Sequence, residues 1–317
     1  MPDERIFLRE LLCRHLLDAG FFSVAFLDRE SLAGVMDDCK VAMHTRAKYS
    51  LHEAASAIVV ALRYSEGLFE MPAWAGSADS GTMLEIGRFA RANWYAELKQ
   101  RLKKSVDAAI AEARDAGMTL PPSARWQRLV NSGLPEKALA ERSGAGRIGK
   151  NRILIADAAR PFASIGHSSA VVLGILLCPV DIGAESAMTP ADLCGNCTKC
   201  IDACPTKALG SREDPIYSRL DCIQHWTSTE GNLPGNVGKA FGARLYGCDI
   251  CLEACPHFHV DPEATTSLGR LGPGLPAEYL LAASDDWIRK DFAGTALDRT
   301  WMSREAFRRN ARLAAGE

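Results

Sequence analysis

Cys194, Cys197, Cys200 and Cys204 stand as C-x2-C-x2-C-x3-C and are followed by Pro205. Bacterial two-cluster ferredoxins use that run to hold [4Fe–4S] cubes, with the fourth cysteine serving the second cube. Downstream, Cys248, Cys251 and Cys255 precede Pro256 in the spacing C-x2-C-x3-C-P, and Cys222 between the runs fills the place of the missing ligand. The spacing therefore assigns Cys194, Cys197, Cys200 and Cys255 to one cube, and Cys204, Cys222, Cys248 and Cys251 to the other. Two four-cysteine zinc sites are the competing chemistry, but zinc modules do not require two separated C-P endings. With eight thiolates available, the nearby His225, His257 and His259 are not needed as ligands.

A frame must position these thiolates. The 317 residues allow one large domain and a small one, and a hydrophobic fraction of 47% is enough for a sizeable core. The three remaining cysteines, Cys13, Cys39 and Cys178, stand alone and read as packing thiols. A formal charge of -2 excludes any global pull toward nucleic acid or an anionic membrane, so a polyanionic partner must be held by a local patch. The N-terminal apolar stretches are interrupted by Glu10, Arg14, His15 and Asp18, unlike a signal peptide or a membrane span, which implies a cytoplasmic protein.

Residues 7–17 have helical apolar spacing, and 57–62 (AIVVAL) read as a short buried strand. Residues 71–82 read as a loop, and 84–118 as one long amphipathic helix broken at most once, with its lysines on a solvated face. Between 131 and 157 come a turn, a helical EKALAERSG, a Gly-rich loop holding Gly144, Gly146 and Gly149, then Lys150 and the strand-like RILIAD. That order is the reverse of a dinucleotide site, which needs strand, Gly-rich loop, then helix. A second buried strand is expected over 169–177 and a linker over 179–193.

The segments CGNCTKCIDACPTKAL (194–209), DCIQHWTSTE (221–230) and LYGCDICLEACP (245–256) resemble the two-cluster portion of the epoxyqueuosine reductase family. IGRFARANWY (86–95) and EKALAERSGAGRIGKN (136–151) resemble its N-terminal half, and DFAGTALDR and FRRNARLAAG the close of its catalytic core. The resemblance implies a cobalamin enzyme related in architecture to reductive dehalogenases. There the clusters feed a base-off corrinoid, and cob(I)alamin attacks or reduces an epoxide on a modified guanosine in the tRNA anticodon loop. Its implied partners are that tRNA and a low-potential donor such as ferredoxin or flavodoxin, with no membrane and a monomeric chain. The expected fold is α+β: a cobalamin-binding, nitroreductase-like α/β catalytic domain over 1–185, a ferredoxin-like double-[4Fe–4S] domain over 186–262, and a C-terminal helical segment over 263–317 packing back on the core. Gly146, Gly149, Lys150 and Asn151 are the expected corrinoid contact, unless those glycines only shape a turn.

The chain departs from the family pattern where a proton is delivered. The family places an aspartate in a V-D-S/T-G-like segment; here the match is Val130-Asn131-Ser132-Gly133, one residue shorter before Glu136, and an asparagine cannot serve as a proton-donating acid. The family's Y-A-x-G-x-D-Y-H is altered to FARANWYA (89–96). Glu136, Tyr95 and His225 are the remaining candidate donors, each with a plain alternative as a helix-surface acid, a core aromatic or a structural histidine. Arg304, Arg308, Arg309 and Arg312 on a C-terminal helix are available for phosphate or form a solvated basic helix end. The resemblance thus implies a reductase of epoxyqueuosine in tRNA or a paralogue that keeps the machinery and reduces another compound; a chain that only delivers electrons, reactivating the corrinoid of a partner protein, needs no substrate proton and is the alternative function.

Overall fold

Every side chain of Ser56–Arg63 is buried, as a strand covered on both faces requires. In the computed structural model, which describes residues 3–65, 81–159, 162–183, 192–214, 216–299 and 302–316, this strand lies inside a four-stranded antiparallel sheet. The order is Ser23–Asp28, Ser56–Arg63, Val171–Cys178, Gln127–Val130. The sheet belongs to the first of two compact units, made of Met1–Arg63, Tyr95–Gly149 and Ile153–Gly195; the second comprises Tyr64–Trp94, Lys150–Arg152 and Asn196–Glu317.

In the first unit the helix Glu4–Asp18 starts where the Asp3 carboxylate accepts from the Arg5 N–H, and it buries Leu8, Leu11, Leu12 and Leu16 along one stripe. Each such leucine contributes about 1.5–3 kcal/mol by leaving water. The helix Trp94–Asp115 buries Leu98, Leu102, Val106 and Ile110 in the same way, while Lys103 on its exposed side pairs with Asp107. It does not begin at residue 84. Met83–Ile86 is a strand of the second unit, because Leu84 and Ile86, two apart, are both buried on one side while Glu85 between them is exposed. Their shared apolar character merged them with the helical stripe in the sequence pattern.

The Gly-rich segment is likewise more ordered than a loop. Gly146–Ile148 pairs antiparallel with Leu154–Asp157, which pairs with His167–Ser168. A Cβ on Gly146 would lie 2.2 Å from the Ile155 carbonyl oxygen and 2.7 Å from the Ala156 Cα, so glycine is what allows the strands to approach. Most of the expected 71–82 loop and the central part of the 179–193 linker lie outside the described residues.

The second unit has a three-stranded sheet in the order Gly274–Pro276, Met83–Ile86, Arg244–Tyr246. Of three short helices, Lys199–Ala203 and Ile250–Glu253 carry Cys200 and Cys251, and Ile223–Trp226 follows Cys222. The helix Arg304–Ala315 is capped by the Ser303 hydroxyl and ends at Gly316 in the left-handed region, φ 83°. Arg312 in the last turn is exposed, as a solvated basic end requires, but Arg308 and Arg309 are not part of such an end. Arg308 pairs with Asp285 at 2.5 Å and donates to the Ala283 carbonyl at 3.0 Å. Arg309 donates to the carbonyls of Thr229, Gly231 and Trp226, and Asn310 to those of Thr227 and Leu245, both at 2.9 Å. Backbone carbonyls left by irregular loops attract these side chains inward. No helix among the described residues is long and apolar enough to cross a membrane.

Gly146→Ala is expected to destabilise the protein by about 1–3 kcal/mol, the usual cost of overpacking, and to lower its denaturant midpoint accordingly. An unchanged midpoint in equilibrium unfolding would show that the two strands can part without cost.

Candidate functional site

Within the second unit, three separate stretches bring their thiols together. Burial pushes the Cys251 thiol well above its ordinary value, and the proximity of Cys248, Cys222, Cys200 and Cys204 pushes it further. Cys200 and Cys204 are buried and pack with Ile201, Ala208 and Leu209, against which Cys222 and Cys251 also lie. Among the described residues, no three His, Cys, Asp or Glu side chains close on one point as the ligands of a single ion do. A four-iron cube instead takes one thiolate on each iron, and four neighbouring cysteines are the donor set it requires.

The loops that carry these cysteines are tied by side chains the spacing does not reveal. Gln224 Oε1 accepts from the Cys248 N–H at 3.1 Å, and the Thr227 hydroxyl accepts from the Gly247 N–H at 3.2 Å. Gly247, at φ 101°, lies back to back with Gly87, and a Cβ there would meet the Gly87 Cα at 2.8 Å. Two residues on from Gly247, the Asp249 carboxylate accepts from the Arg88 N–H at 2.7 Å, and Arg88 pairs with Glu253. Lys150 Nζ donates to the Cys197 carbonyl at 3.1 Å and Asn151 Nδ2 to the Cys251 carbonyl at 3.4 Å. Both residues were expected at a corrinoid; the structure gives them bonds to the cysteine loops. His225 lies on this side too, its ring accepting from Arg219 at 3.2 Å.

The first unit holds a cavity of about 530 Å³. Of the candidates the sequence puts forward, Tyr95, Asn131 and Glu136 line it and His225 does not. Its walls are aliphatic, with Leu134, Ile148, Ile153, Leu154 and Val172 among them. Asn131 is exposed and in the left-handed region at φ 48°, which asparagine tolerates better than most residues. Glu136 opens the helix Glu136–Arg142, and its Oε1 accepts from the Ser132 N–H at 2.7 Å and the Ser132 hydroxyl at 2.9 Å. The residue is half-buried by surface, yet its carboxyl is crowded enough that loss of water pushes it up to about 7 despite the opposing Ser132 bonds. Ser132 itself was not foreseen; the signal available was a hydroxyl four residues ahead of an acid at a helix start.

Residues 193–257, which contain all eight cysteines, match the family described as 4Fe-4S double cluster binding domain. The chain is 30% identical over 273 residues to epoxyqueuosine reductase of Bacillus subtilis (strain 168), covering 84% of this chain and 64% of that protein. Against epoxyqueuosine reductase of Synechococcus sp. (strain CC9605) it is 31% identical over 243 residues, covering 73% of this chain and 68% of the relative. The fold matches that of an epoxyqueuosine reductase solved with a tRNA-Tyr epoxyqueuosine-modified tRNA stem loop, at a TM-score of 0.71 and 24% identity over 98% of this chain and 81% of the other.

Anaerobic reconstitution is expected to load about eight iron and eight sulfide per chain, and Cys222→Ala about half of each. Zinc in place of iron on chemical analysis would overturn the cluster assignment.

Proposed function

The chain belongs to the epoxyqueuosine reductase family, and from that premise we propose that it removes the epoxide oxygen of epoxyqueuosine in tRNA, leaving queuosine. The observation that carries this reading is the cavity of the first unit, where Tyr95, Asn131 and Glu136 line one space. At about 530 Å³ it is in the range of sites that take a nucleoside-sized group. Removing an epoxide oxygen as water takes two electrons and two protons, so a strong reductant and an acid must serve the same place.

Two [4Fe–4S] cubes, on Cys194, Cys197, Cys200 and Cys255 and on Cys204, Cys222, Cys248 and Cys251, are the electron supply in this reading. Such couples reach down to roughly -700 mV. Base-off cobalamin is the further group the family adds, and when bound it supplies a cobalt centre reducing enough to act on a carbon–oxygen bond. The aliphatic cavity wall suits the face of a corrin ring; Ile148 and Ile153 there bracket the turn that carries Gly149, Lys150 and Asn151. On this reading residues 1–185 bind the corrinoid and substrate, 186–262 carry the cubes, and 263–317 pack back as a helical segment.

The relative solved with a modified tRNA stem loop supports the choice of tRNA as substrate. With a net charge of -2, this chain meets that polyanion through local contacts rather than an overall field. A ferredoxin or flavodoxin is the donor suited to such clusters, and a cytoplasmic monomer is the form in which both partners are met. Asn131 has the amide to orient the substrate oxygen, and the half-buried Tyr95 bounds the same space.

Protein loaded anaerobically with iron, sulfide and cobalamin, given a strong reductant and epoxyqueuosine-containing tRNA, is expected to form queuosine detectable by nucleoside mass spectrometry. Cys222→Ala is expected to abolish turnover. Fully loaded protein that reduces a partner protein's corrinoid but leaves the modified tRNA unchanged would overturn this reading in favour of electron delivery.

A further inference from the structure

Reduction of the epoxide needs an acid, and at the position where the family has one this chain has Asn131. An amide orients an oxygen but does not protonate it. We infer that Glu136 is the proton donor, delivering its proton to the epoxide oxygen as a carbon–oxygen bond breaks. This rests on the function proposed above. The balance closes with two electrons from the low-potential iron–sulfur and corrinoid groups and two protons, one from Glu136 and one from solvent. The oxygen leaves as water, and the Glu136 carboxylate regains its proton from solvent.

Both states of this carboxyl are provided for. Before transfer, the strand Val171–Cys178 and the hairpin around Gly149 line the cavity with aliphatic side chains such as Val172 and Ile153, which favours the neutral acid. After transfer, the two Ser132 donors at 2.7 and 2.9 Å receive the charge on Oε1. The serine hydroxyl is itself held, accepting from the Leu134 N–H at 3.2 Å. Tyr49 fixes the turn from another element, its phenol oxygen accepting from the Gly133 N–H at 2.9 Å. The other charged or titratable side chains lining the cavity are Tyr95, from the helix Trp94–Asp115, and the exposed Lys137 on Glu136's own helix. With its carboxyl pushed up to about 7, a large share of Glu136 holds a proton near neutrality, where a general acid is most effective.

Glu136→Gln keeps the acceptor oxygen for Ser132 and removes only the proton. It is expected to lower kcat at least about a hundredfold. KM for the modified tRNA and the melting midpoint are expected to stay near wild type, a split that a brace for the turn would not produce. Wild-type kcat is expected to fall as pH rises through about 7, because the acid form is the active one. A readout independent of turnover is the infrared carboxyl band of the cluster-loaded protein that disappears in Glu136→Gln. It is expected to titrate near pH 7, and Ser132→Ala to move the midpoint upward, since the lost hydroxyl bond favours the carboxylate. Retained kcat with the wild-type pH profile in Glu136→Gln, or a band titrating near the ordinary value of about 4.3, overturns the assignment while leaving the family reading intact. Wild-type protein that is inactive with both cofactors loaded overturns the reading and the assignment together.

Discussion

Crowding of sulfur atoms is the constraint around which the second unit is built. Cys251 lies close enough to Cys248, Cys222, Cys200 and Cys204 that each raises the cost of its negative charge, on top of the larger cost of burial. Thiolates so placed cannot all be ionised in a bare protein. A cationic iron–sulfur core removes that penalty, so metal binding and ordering of these loops are coupled. The flanking helices are too short to stand alone, at five, four and four residues. The backbone in and beside them is held instead by side chains, Lys150 on the Cys197 carbonyl, Asn151 on that of Cys251, Gln224 on the Cys248 N–H and Thr227 on the Gly247 N–H.

The first unit solves a different problem, that of keeping one acid away from water. A sheet with one fully buried strand, Ser56–Arg63, and a second buried at all but its first residue, Val171–Cys178, supplies an aliphatic wall, and a short turn places Asn131, Ser132 and Glu136 within six residues of one another. The polar chemistry is thus concentrated on one segment while the opposite walls stay inert. The cavity holds a carboxyl, that of Glu136, beside the amide of Asn131.

Much of this was legible in the residues themselves. The buried strands Ser56–Arg63 and Val171–Cys178 and the helix Glu4–Asp18 have strong local patterns, and the cysteine spacing points to iron without help from the fold. Leu84 and Ile86 were misassigned because a short strand next to a long helix shares its apolar residues, and period cannot be read from two positions. Gly146 looked like loop chemistry because a glycine that permits close strand contact is indistinguishable, in sequence, from one that approaches a ligand. Arg308 and Arg309 looked like free surface charge because the carbonyls that bind them lie about 25 and 80 residues away in sequence. Long-range pairing of a side chain with irregular backbone has no periodic signature.

The reach of Arg309 has a consequence in time as well as in space. Its guanidinium holds the Trp226 carbonyl, just beyond Cys222, across 83 residues of chain. During synthesis at about 5–20 residues per second, the loop is made roughly 4–17 s before the side chain that fastens it exists. For that interval the nascent loop that follows Cys222 lacks this fastening, so its final hydrogen bonding waits on residues at the far end of the second unit.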